Sequence, residues 1–320
     1  MAAHPLYIRL QHEASAEAVF RWATLCSAVL VLLLLGGVLG SLVFGAWPAL
    51  TQFKWHFLAT QTWNPVTAQF GALAPLYGTV VTSVIALLIA VPISFGIAVF
   101  LTETCPQSLR TPIGVAIELL AAIPSIVFGI WGLFVLAPVL QDNVQPWLIR
   151  YLGPLPVIGA LFQGPPFGIG LFTAGLVLAI MVLPFITAVM REVFQMTPTA
   201  LKEAAYGVGA TQWEVVWDIV LPWSRPGVIG GLMLGLGRAL GETMAVTFVV
   251  GNAHRITASL LAPSTTISAS IANEFNEAVG PLYTSSLIAL GLILFVLTFV
   301  VIAGVRLLLR KLERGSTRRA

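Results

Sequence analysis

Charge is what this sequence has least of. Only 9% of its 320 residues are Asp, Glu, Lys or Arg, against about 25% in ordinary soluble domains. So few charged side chains cannot solvate the surface of a soluble protein, and 58% of the residues are hydrophobic. The composition therefore excludes an ordinary soluble domain and predicts an all-α integral membrane protein.

Cysteine is nearly absent as well. Cys26 lies in the first apolar run and Cys105 in a short polar loop, which indicates isolated residues rather than a disulfide framework. The first apolar run, 22–46, is too long for the core of a signal peptide, and no small-residue cleavage site stands out. We expect this run to be a retained membrane helix.

A nucleotide-binding phosphate loop is also missing. The pattern G-x-x-x-x-G-K-[ST] places a glycine before its lysine, but Lys54, Lys202 and Lys311 follow Phe, Leu and Arg. The chain is therefore not expected to hydrolyse ATP itself or to be an enzyme. We also expect neither a metal site nor a nucleic-acid partner.

Long intervals without charge are what the sequence does contain. A bilayer crossing takes roughly 20 apolar residues. We predict six membrane helices, over residues 22–46, 74–101, 113–140, 169–190, 226–250 and 284–306. Pro124, in "AAIPSIVFG", predicts a bend in the third helix. Ser125 beside it favours either a kink that lines a pathway or a purely structural kink.

Lys and Arg are unequally divided between the two sides of these helices. Twelve lie on the side of the two termini and three, Lys54, Arg150 and Arg255, on the other. The positive-inside rule therefore predicts that both termini are cytoplasmic. The expected organisation, in chain order, is a cytoplasmic tail over 1–21, a membrane domain over 22–306 and a basic cytoplasmic tail over 307–320.

The longest cytoplasmic loop, 191–225, contains "TPTALKEAAYGVGATQWEVVWDIVLP". Pro198 suits the first turn of a short helix ending near Gly207. Gly209 permits a turn, and the apolar spacing that follows predicts a second helix, ended by Pro222. Such a protrusion either docks into a groove on a partner or lies on the membrane as an ordinary amphipathic loop.

This loop resembles the signature of the permease subunits of ABC importers. That signature is Glu-Ala-Ala, three residues, Gly, nine residues and Ile-x-Leu-Pro. The matching residues, at the same spacing, are Glu203, Ala204, Ala205, Gly209, Ile219, Leu221 and Pro222. The resemblance implies that residues 198–222 couple the chain to an ATP-binding subunit. It also implies the type I, MetI-like architecture and a bacterial inner-membrane location.

Two charges interrupt the fifth apolar segment, in "GLGRALGETMAV". Arg238 lies near the predicted midpoint, where an ionised group costs at least about 2.5–3.5 kcal/mol, so we expect it to face protein or water. Glu242 would share its helical face and form a neutralising pair. The alternative is an anion site, because a guanidinium suits a tetrahedral oxyanion and Thr243 and Thr247 add hydroxyls.

Glu242 suits one oxyanion better than another. Phosphate near neutral pH still carries a proton, whereas sulfate carries none. A carboxylate can therefore accept a hydrogen bond from phosphate while it repels sulfate. This contrast favours phosphate as the ligand of an anion site at this position.

Glu118, in "IELLAAIPS", is another acid close to an apolar segment. It lies about five residues into the predicted third helix. Its carboxylate either reaches the inner membrane interface or acts as a gate or as a bridge between helices.

Longer stretches resemble the permeases of phosphate ABC importers over most of residues 60–300. The stretches are 62–103, 117–138, 235–252 and, more loosely, 256–278. The continuation "ETMAVTFVVGN" favours one of the two sister permease types of that family. The resemblance implies that Arg238 and Glu242 serve phosphate passage.

The same resemblance implies a set of partners. These are a sister permease, an ATP-binding subunit dimer, an extracytoplasmic phosphate-binding protein, membrane lipid and inorganic phosphate as substrate. ATP and Mg would belong to the ATPase partner, and no cofactor is expected in this chain.

Three other functions compete with a phosphate permease. A permease for sulfate or molybdate would carry the same loop, although the Glu242 context argues against it. An ion-driven secondary transporter predicts inverted internal repeats, yet no clear repeat is present and the loop would have no role. A structural or signalling membrane subunit is the third.

Overall fold

Helices form the regular structure of the described chain. The computed structural model describes residues 4–156 and 158–316, with side chains described at 17, 19–156 and 158–307. The helices are α1 His4–Phe53, α2 His56–Ala59, α3 Leu73–Val99, α4 Gln107–Ala122, α5 Ser125–Trp131, α6 Ala137–Val139, α7 Gln145–Tyr151, α8 Leu171–Gln195, α9 Thr199–Gly207, α10 Gln212–Glu214, α11 Leu221–Gly241, α12 Met244–Thr247, α13 Ile267–Glu274 and α14 Pro281–Ser316. Within these ranges there is no β-strand, only two isolated bridges.

Short segments of wider or tighter helix join several of these elements. The π-helical segments are Phe100–Thr104, Gly132–Leu136, Leu140–Val144 and Val215–Val220, and Ile158–Phe162 is a 3-10 helix. The side chains of Arg9 and of the predicted basic tail from 308 to 320 lie outside the described residues.

Six helical runs in the described ranges are long and apolar enough to cross a membrane, as predicted. They are Val19–Phe53, Leu73–Thr104, Ser125–Tyr151, Leu171–Gln195, Gln212–Gly241 and Pro281–Leu307. The all-α, six-span architecture is therefore confirmed. Helical backbone also continues into both segments predicted as tails, since α1 begins at His4 and α14 ends at Ser316.

The predicted third span, 113–140, is wrong in its boundaries. α4 ends at Ala122, Ile123 is extended (φ −68°, ψ 127°), and a new helical run begins at Ser125. Proline disfavours helical backbone at the residue before it, so Pro124 breaks the helix instead of bending it. The membrane span is the run from Ser125 to Tyr151.

Pro222 does not end a short helix, contrary to the prediction. The helical run continues through it from Gln212 to Gly241. The π-helical segment Val215–Val220 lies immediately before it, and the N–H of Leu221 donates to the carbonyl of Val216. This wider turn accommodates a proline ring that would clash with the carbonyl four residues back in a regular α-helix.

α8 is the central helix of the bundle. Of its most apolar stretch 61% is buried, against 0–28% in the other five spans. α3 packs along it, and the hydroxyl of Ser94 donates to the carbonyl of Leu183 at 3.0 Å. α11 packs on another side of α8. α1 instead lies at the periphery against α14, where the Ala49 N–H donates to Ser285 Oγ at 3.0 Å.

A cap segment, residues 251–274, covers the beginning of α3. The Tyr77 hydroxyl donates to the carbonyl of Thr257 at 3.0 Å. The N–H of Ile267 donates to Thr79 Oγ1 at 2.9 Å. Between these two contacts the backbone of Gly78 lies so close that an added Cβ would be 1.9 Å from the carbonyl oxygen of Thr265.

The close approach at Gly78 can be tested by adding a single methyl group. Gly78→Ala must displace the backbone of the cap segment, and such overpacking costs about 1–3 kcal/mol. Gly96→Ala, in the same helix, is the matched control because no atom lies within 4 Å of its added Cβ. We expect thermal melting of the purified protein to show a lower melting temperature for Gly78→Ala only. Equal melting temperatures would contradict the close contact.

Candidate functional site

The fifth span ends earlier than predicted, and this changes the position of Arg238. α11 stops at Gly241, and Glu242 is extended (φ −68°, ψ 132°). Glu242 Oε1 accepts a hydrogen bond from the N–H of Ala245 at 3.3 Å and so satisfies a free donor at the start of α12. Arg238 therefore lies in the last turn of α11, where the helix dipole favours a cation, and not at a mid-helix position.

Arg238 and Glu242 do not form the intrahelical pair that was one of the two interpretations of these charges. The three ion pairs among the described side chains include neither residue. The Arg238 guanidinium instead lies over the ring of Phe185, 4.1 Å from its centroid, and Nε is buried without a hydrogen-bond partner. A cation–π contact stabilises the charge but leaves guanidinium donors for a ligand.

Arg238 lines an open groove of about 730 Å³ between α8, α11 and α14. Arg306, on α14, lines the same groove. The described lining residues include no acid, so the two arginines give the groove a positive potential that attracts anions. Such a groove can hold an oxyanion between two guanidinium groups.

The two predicted threonines bond to the chain itself. Thr247 Oγ1 donates to the carbonyl of Thr243 at 2.7 Å, and Thr243 Oγ1 lies 3.4 Å from the carbonyl of Gly241. Each hydroxyl proton is thus used by the backbone. The hydroxyl oxygens keep their capacity to accept a hydrogen bond.

Ser125 begins α5, directly after the break at Pro124. α5 packs on α12, so close that a Cβ on Gly129 would lie 3.0 Å from the carbonyl oxygen of Met244. The structure thus brings Ser125 and Thr247 onto neighbouring short helices. The groove beside Arg238 is lined by residues of α8, α11 and α14. Ser125, Glu242 and the two threonines are not among its described lining residues.

The 198–222 hairpin has the predicted first helix and turn. α9 covers Thr199–Gly207, and Gly209 has φ 93°. That positive φ is a conformation that glycine adopts without steric cost. The second arm begins with a capping box, in which Thr211 and Glu214 each accept a hydrogen bond from the other's backbone N–H.

The two arms of this hairpin differ in exposure. Glu203 and Ala204 on α9 are exposed, and Ala205 is half-buried against the core. In the second arm Val215 and Val220 are fully buried. Of the other residues matched to the signature, Gly209 and Pro222 are exposed and Ile219 and Leu221 are half-buried. The first arm is therefore mostly available to a partner, and the second arm is anchored by buried valines although its Trp213 is 69% exposed.

Glu118 contacts a neighbouring membrane helix. Its carboxylate accepts a hydrogen bond from Arg191 on α8 at 2.7 Å, and 53% of its side chain is exposed. Arg110 and Gln195 line a polar cleft of about 310 Å³ beside this pair. The pair joins α4 to α8, and its part in a gate stays a prediction.

A second polar cluster, the Glu274 cluster, joins the cap segment to Trp63 and Tyr283. Glu274 Oε1 lies 2.9 Å from His254 Nε2. Its Oε2 accepts hydrogen bonds from the Tyr283 hydroxyl, at 2.7 Å, and from the Trp63 indole. Burial by itself raises the pKa of Glu274, but the hydrogen bonds from these three side chains outweigh it and hold the pKa below its ordinary value.

Six membrane spans, an exposed hairpin and an arginine in a groove with no acidic partner among the described side chains are consistent with a membrane transport subunit. Residues 94–314 match the family model described as "Binding-protein-dependent transport system inner membrane component". The chain belongs to this family and, within it, to the phosphate transport system permease proteins PstC. It is therefore a multi-pass membrane component of a transport system.

The relatives match almost the whole chain. The phosphate transport system permease protein PstC of Mesorhizobium japonicum is 61% identical, over 94% of this chain and 92% of its own length. That of Pasteurella multocida is 58% identical, over 97% of both chains. The probable PstC of Methanocaldococcus jannaschii is 39% identical, over 93% and 95%.

A solved structure has the same fold. It is a chain of the bacterial alginate ABC transporter in complex with an alginate-bound periplasmic protein. The TM-score is 0.61, at 18% identity, over 95% of this chain and 98% of that one. This similarity confirms the fold of an ABC transporter permease.

Sequence reasoning did not single out Arg306 or the Glu274 cluster. Arg306 contributes there only to the unequal division of Lys and Arg between the two sides. An arginine at the end of an apolar segment was the available signal for Arg306. No local signal indicates that Trp63, His254 and Tyr283 converge on one carboxylate.

The pKa of Glu274 predicts how stability depends on pH. Because folding lowers this pKa, the ionised carboxylate stabilises the fold above its ordinary value of about 4.3. That stabilisation is lost as the pH falls through the lower, folded-state value. Below about pH 4.3 we expect the melting temperature of the wild-type protein to fall more steeply than that of Glu274→Gln.

The control for this prediction is Glu277→Gln, which removes an exposed acid nearby. Its melting temperature should follow the wild-type pH dependence. Parallel curves for the wild-type protein and Glu274→Gln would show that the cluster does not depend on an ionised Glu274.

Proposed function

We propose that this chain is a permease subunit of an ATP-driven importer of inorganic phosphate and forms half of its translocation pathway. The observation that carries the proposal is Arg238, a guanidinium in a membrane groove without an ion-pair partner among the described side chains. Relatives at 55–61% identity named phosphate transport system permease protein support the choice of substrate.

Arg238 would bind phosphate through the parallel donors of its guanidinium. The planar guanidinium can donate two parallel hydrogen bonds to a tetrahedral oxyanion. An apolar side chain such as Phe185 lowers the local dielectric constant and so strengthens the electrostatic attraction. Arg306 in the same groove adds a second positive charge. The anion therefore replaces the carboxylate partner that Arg238 lacks in the described chain.

Acceptors on the neighbouring segment would recognise the proton that phosphate retains. Glu242 carries a carboxylate, and the oxygens of Thr243 and Thr247 still accept while their protons are bonded to the backbone. Each can accept from a P–OH group, whereas sulfate has no such donor. Ser125 on the adjacent α5 is a further hydroxyl along this proposed pathway.

The proposed complex has one partner on each face of the membrane and one within it. A PstA-like permease would form the other half of the pathway, and a PstS-like binding protein would deliver phosphate from outside. A PstB-like dimer would hold ATP and Mg and dock on α9, through the exposed Glu203 and Ala204. This arrangement places both termini in the cytoplasm and needs no cofactor in this chain.

The anion site is tested by labelled-phosphate uptake into vesicles that contain the assembled complex. Arg238→Gln should lower uptake roughly 10- to 100-fold, since a hydrogen bond to a charged group contributes about 1.5–3 kcal/mol. Arg238→Lys should rescue poorly, because an ammonium lacks the planar fork. Glu242→Gln should weaken discrimination against sulfate, since an amide can also donate.

Two further variants complete this experiment. Arg225→Gln, which removes an exposed arginine from the same helix, should leave uptake near the wild-type level. The double variant Arg238→Gln with Glu242→Gln should remain inactive. Substantial uptake by the double variant would mean that the two residues only neutralise each other, and the anion site would have to be abandoned.

Coupling to the ATPase is tested at Gly209. Valine is β-branched and tolerates φ 93° poorly, with a strain of about 1–3 kcal/mol. Asparagine adopts positive φ far more readily, so Gly209→Asn is the matched control. We expect Gly209→Val to lose ATP-driven uptake while the complex still assembles, and Gly209→Asn to retain most of it. Wild-type uptake by an assembled Gly209→Val complex would exclude this turn from coupling.

A further inference from the structure

A half-buried ion pair joins the hairpin to the end of the helical run Leu73–Thr104. Lys202 Nζ on α9 lies 2.5 Å from Glu103 Oε1, in the π-helical segment that ends α3. Only 16% of the Lys202 side chain and 8% of the Glu103 side chain are exposed. The two residues are 99 positions apart in the sequence, so the contact is a tertiary one.

α9 has few other attachments to the bundle. Of its residues, only Lys202 and Ala205 are not exposed. Burial, together with the Glu103 carboxylate, raises the pKa of Tyr206 on the same helix. Among the described side chains, the Lys202–Glu103 pair is the ion pair that joins α9 to the helical run Leu73–Thr104.

α3 reaches from this ion pair to the cap segment. The helical run Leu73–Thr104 has 32 residues and is about 48 Å long at 1.5 Å per residue. At its other end, Tyr77 and Thr79 are hydrogen-bonded to the cap segment, and Gly78 is packed against Thr265. One continuous helix therefore contacts the exposed hairpin at one end and the cap segment at the other.

We propose that the Lys202–Glu103 pair transmits movement of α9 to α3, and that α3 carries this movement to the cap segment. Both residues are positioning residues: they contact neither substrate nor nucleotide. An ion pair of low exposure resists sliding between α9 and α3, because separating the charges would leave each one buried without a partner. The proposal rests on the proposed function, since it requires a partner that moves α9.

The Arg191–Glu118 pair is a less suitable transmitter. It is more exposed, at 23% and 53% of the two side chains, and it joins α4 to α8 without contacting the hairpin. Solvent screens such a pair more strongly. Lys202 and Glu103 are therefore the charges to test.

The experiment follows the cap segment directly in the complete complex reconstituted in nanodiscs. Cys26 and Cys105 are changed to serine, and a cysteine replaces Ala258, which is exposed and adjacent to Thr257. The labelling rate of this cysteine by a polar thiol reagent is measured without nucleotide and with ATP and vanadate. Phosphate uptake and ATP hydrolysis are measured separately on the same variants.

We expect nucleotide to change the labelling rate when the pair is intact. Lys202→Met and Glu103→Gln should lose this change while ATP hydrolysis continues. The exchanged pair, Lys202→Glu with Glu103→Lys, should restore it, because the same two charges meet again. Glu192→Gln, which removes an exposed acid from the neighbouring end of α8, should behave as the wild-type protein.

Four results would overturn the proposal. They are an unchanged labelling response in the single variants, no response in the wild-type complex, no recovery in the exchanged pair, and single variants that fail to assemble with the ATPase. The last would assign the pair to assembly. Absence of phosphate uptake by the wild-type complex would instead count against the proposed substrate, because labelling requires no phosphate.

Discussion

The structure depends on one constraint: a bilayer offers no hydrogen bonds to an open backbone. Most of the described chain satisfies its backbone hydrogen bonds within unbroken helices. The two interruptions, at Pro124 and at Glu242, occur on segments that pack against each other, where α5 meets α12. There the Glu242 carboxylate bonds to the freed N–H of Ala245. Irregular backbone at the end of a membrane span is tolerated where protein or water satisfies its hydrogen bonds.

The architecture and the hairpin were predictable because they rest on local signals. Charge-free intervals gave the six spans, and Gly209 adopts the positive φ that its position in the loop suggested. The wrong predictions concern residues whose backbone conformation depends on a neighbouring segment. Pro222 was expected to end a helix, but a preceding π-helical turn absorbs the proline. Glu242 was placed on the face of Arg238 because the helix was assumed to continue.

Tertiary pairing lies beyond a single sequence for a physical reason. Glu103 and Lys202 are charges at the ends of apolar segments, and nothing local distinguishes such a residue from one that is simply solvated. Their pairing follows only when α9 folds back onto the end of α3. The same holds for Glu274, which meets Trp63 and Tyr283 because the cap segment returns to the bundle.

The cations in and beside the membrane thus fall into two groups. Some have a carboxylate partner within this chain, and one does not among the described side chains. Lys202 and Arg191 have carboxylate partners on other helices, so their positive charges are satisfied by the fold and hold helices together. In the part of the chain that the structure describes, Arg238 has a cation–π contact with Phe185 and no carboxylate partner. A cation held in a low-dielectric groove without a counter-charge is costly, and an anion that enters the groove relieves that cost. This is the physical reason for our proposal that the transported anion is the partner of Arg238.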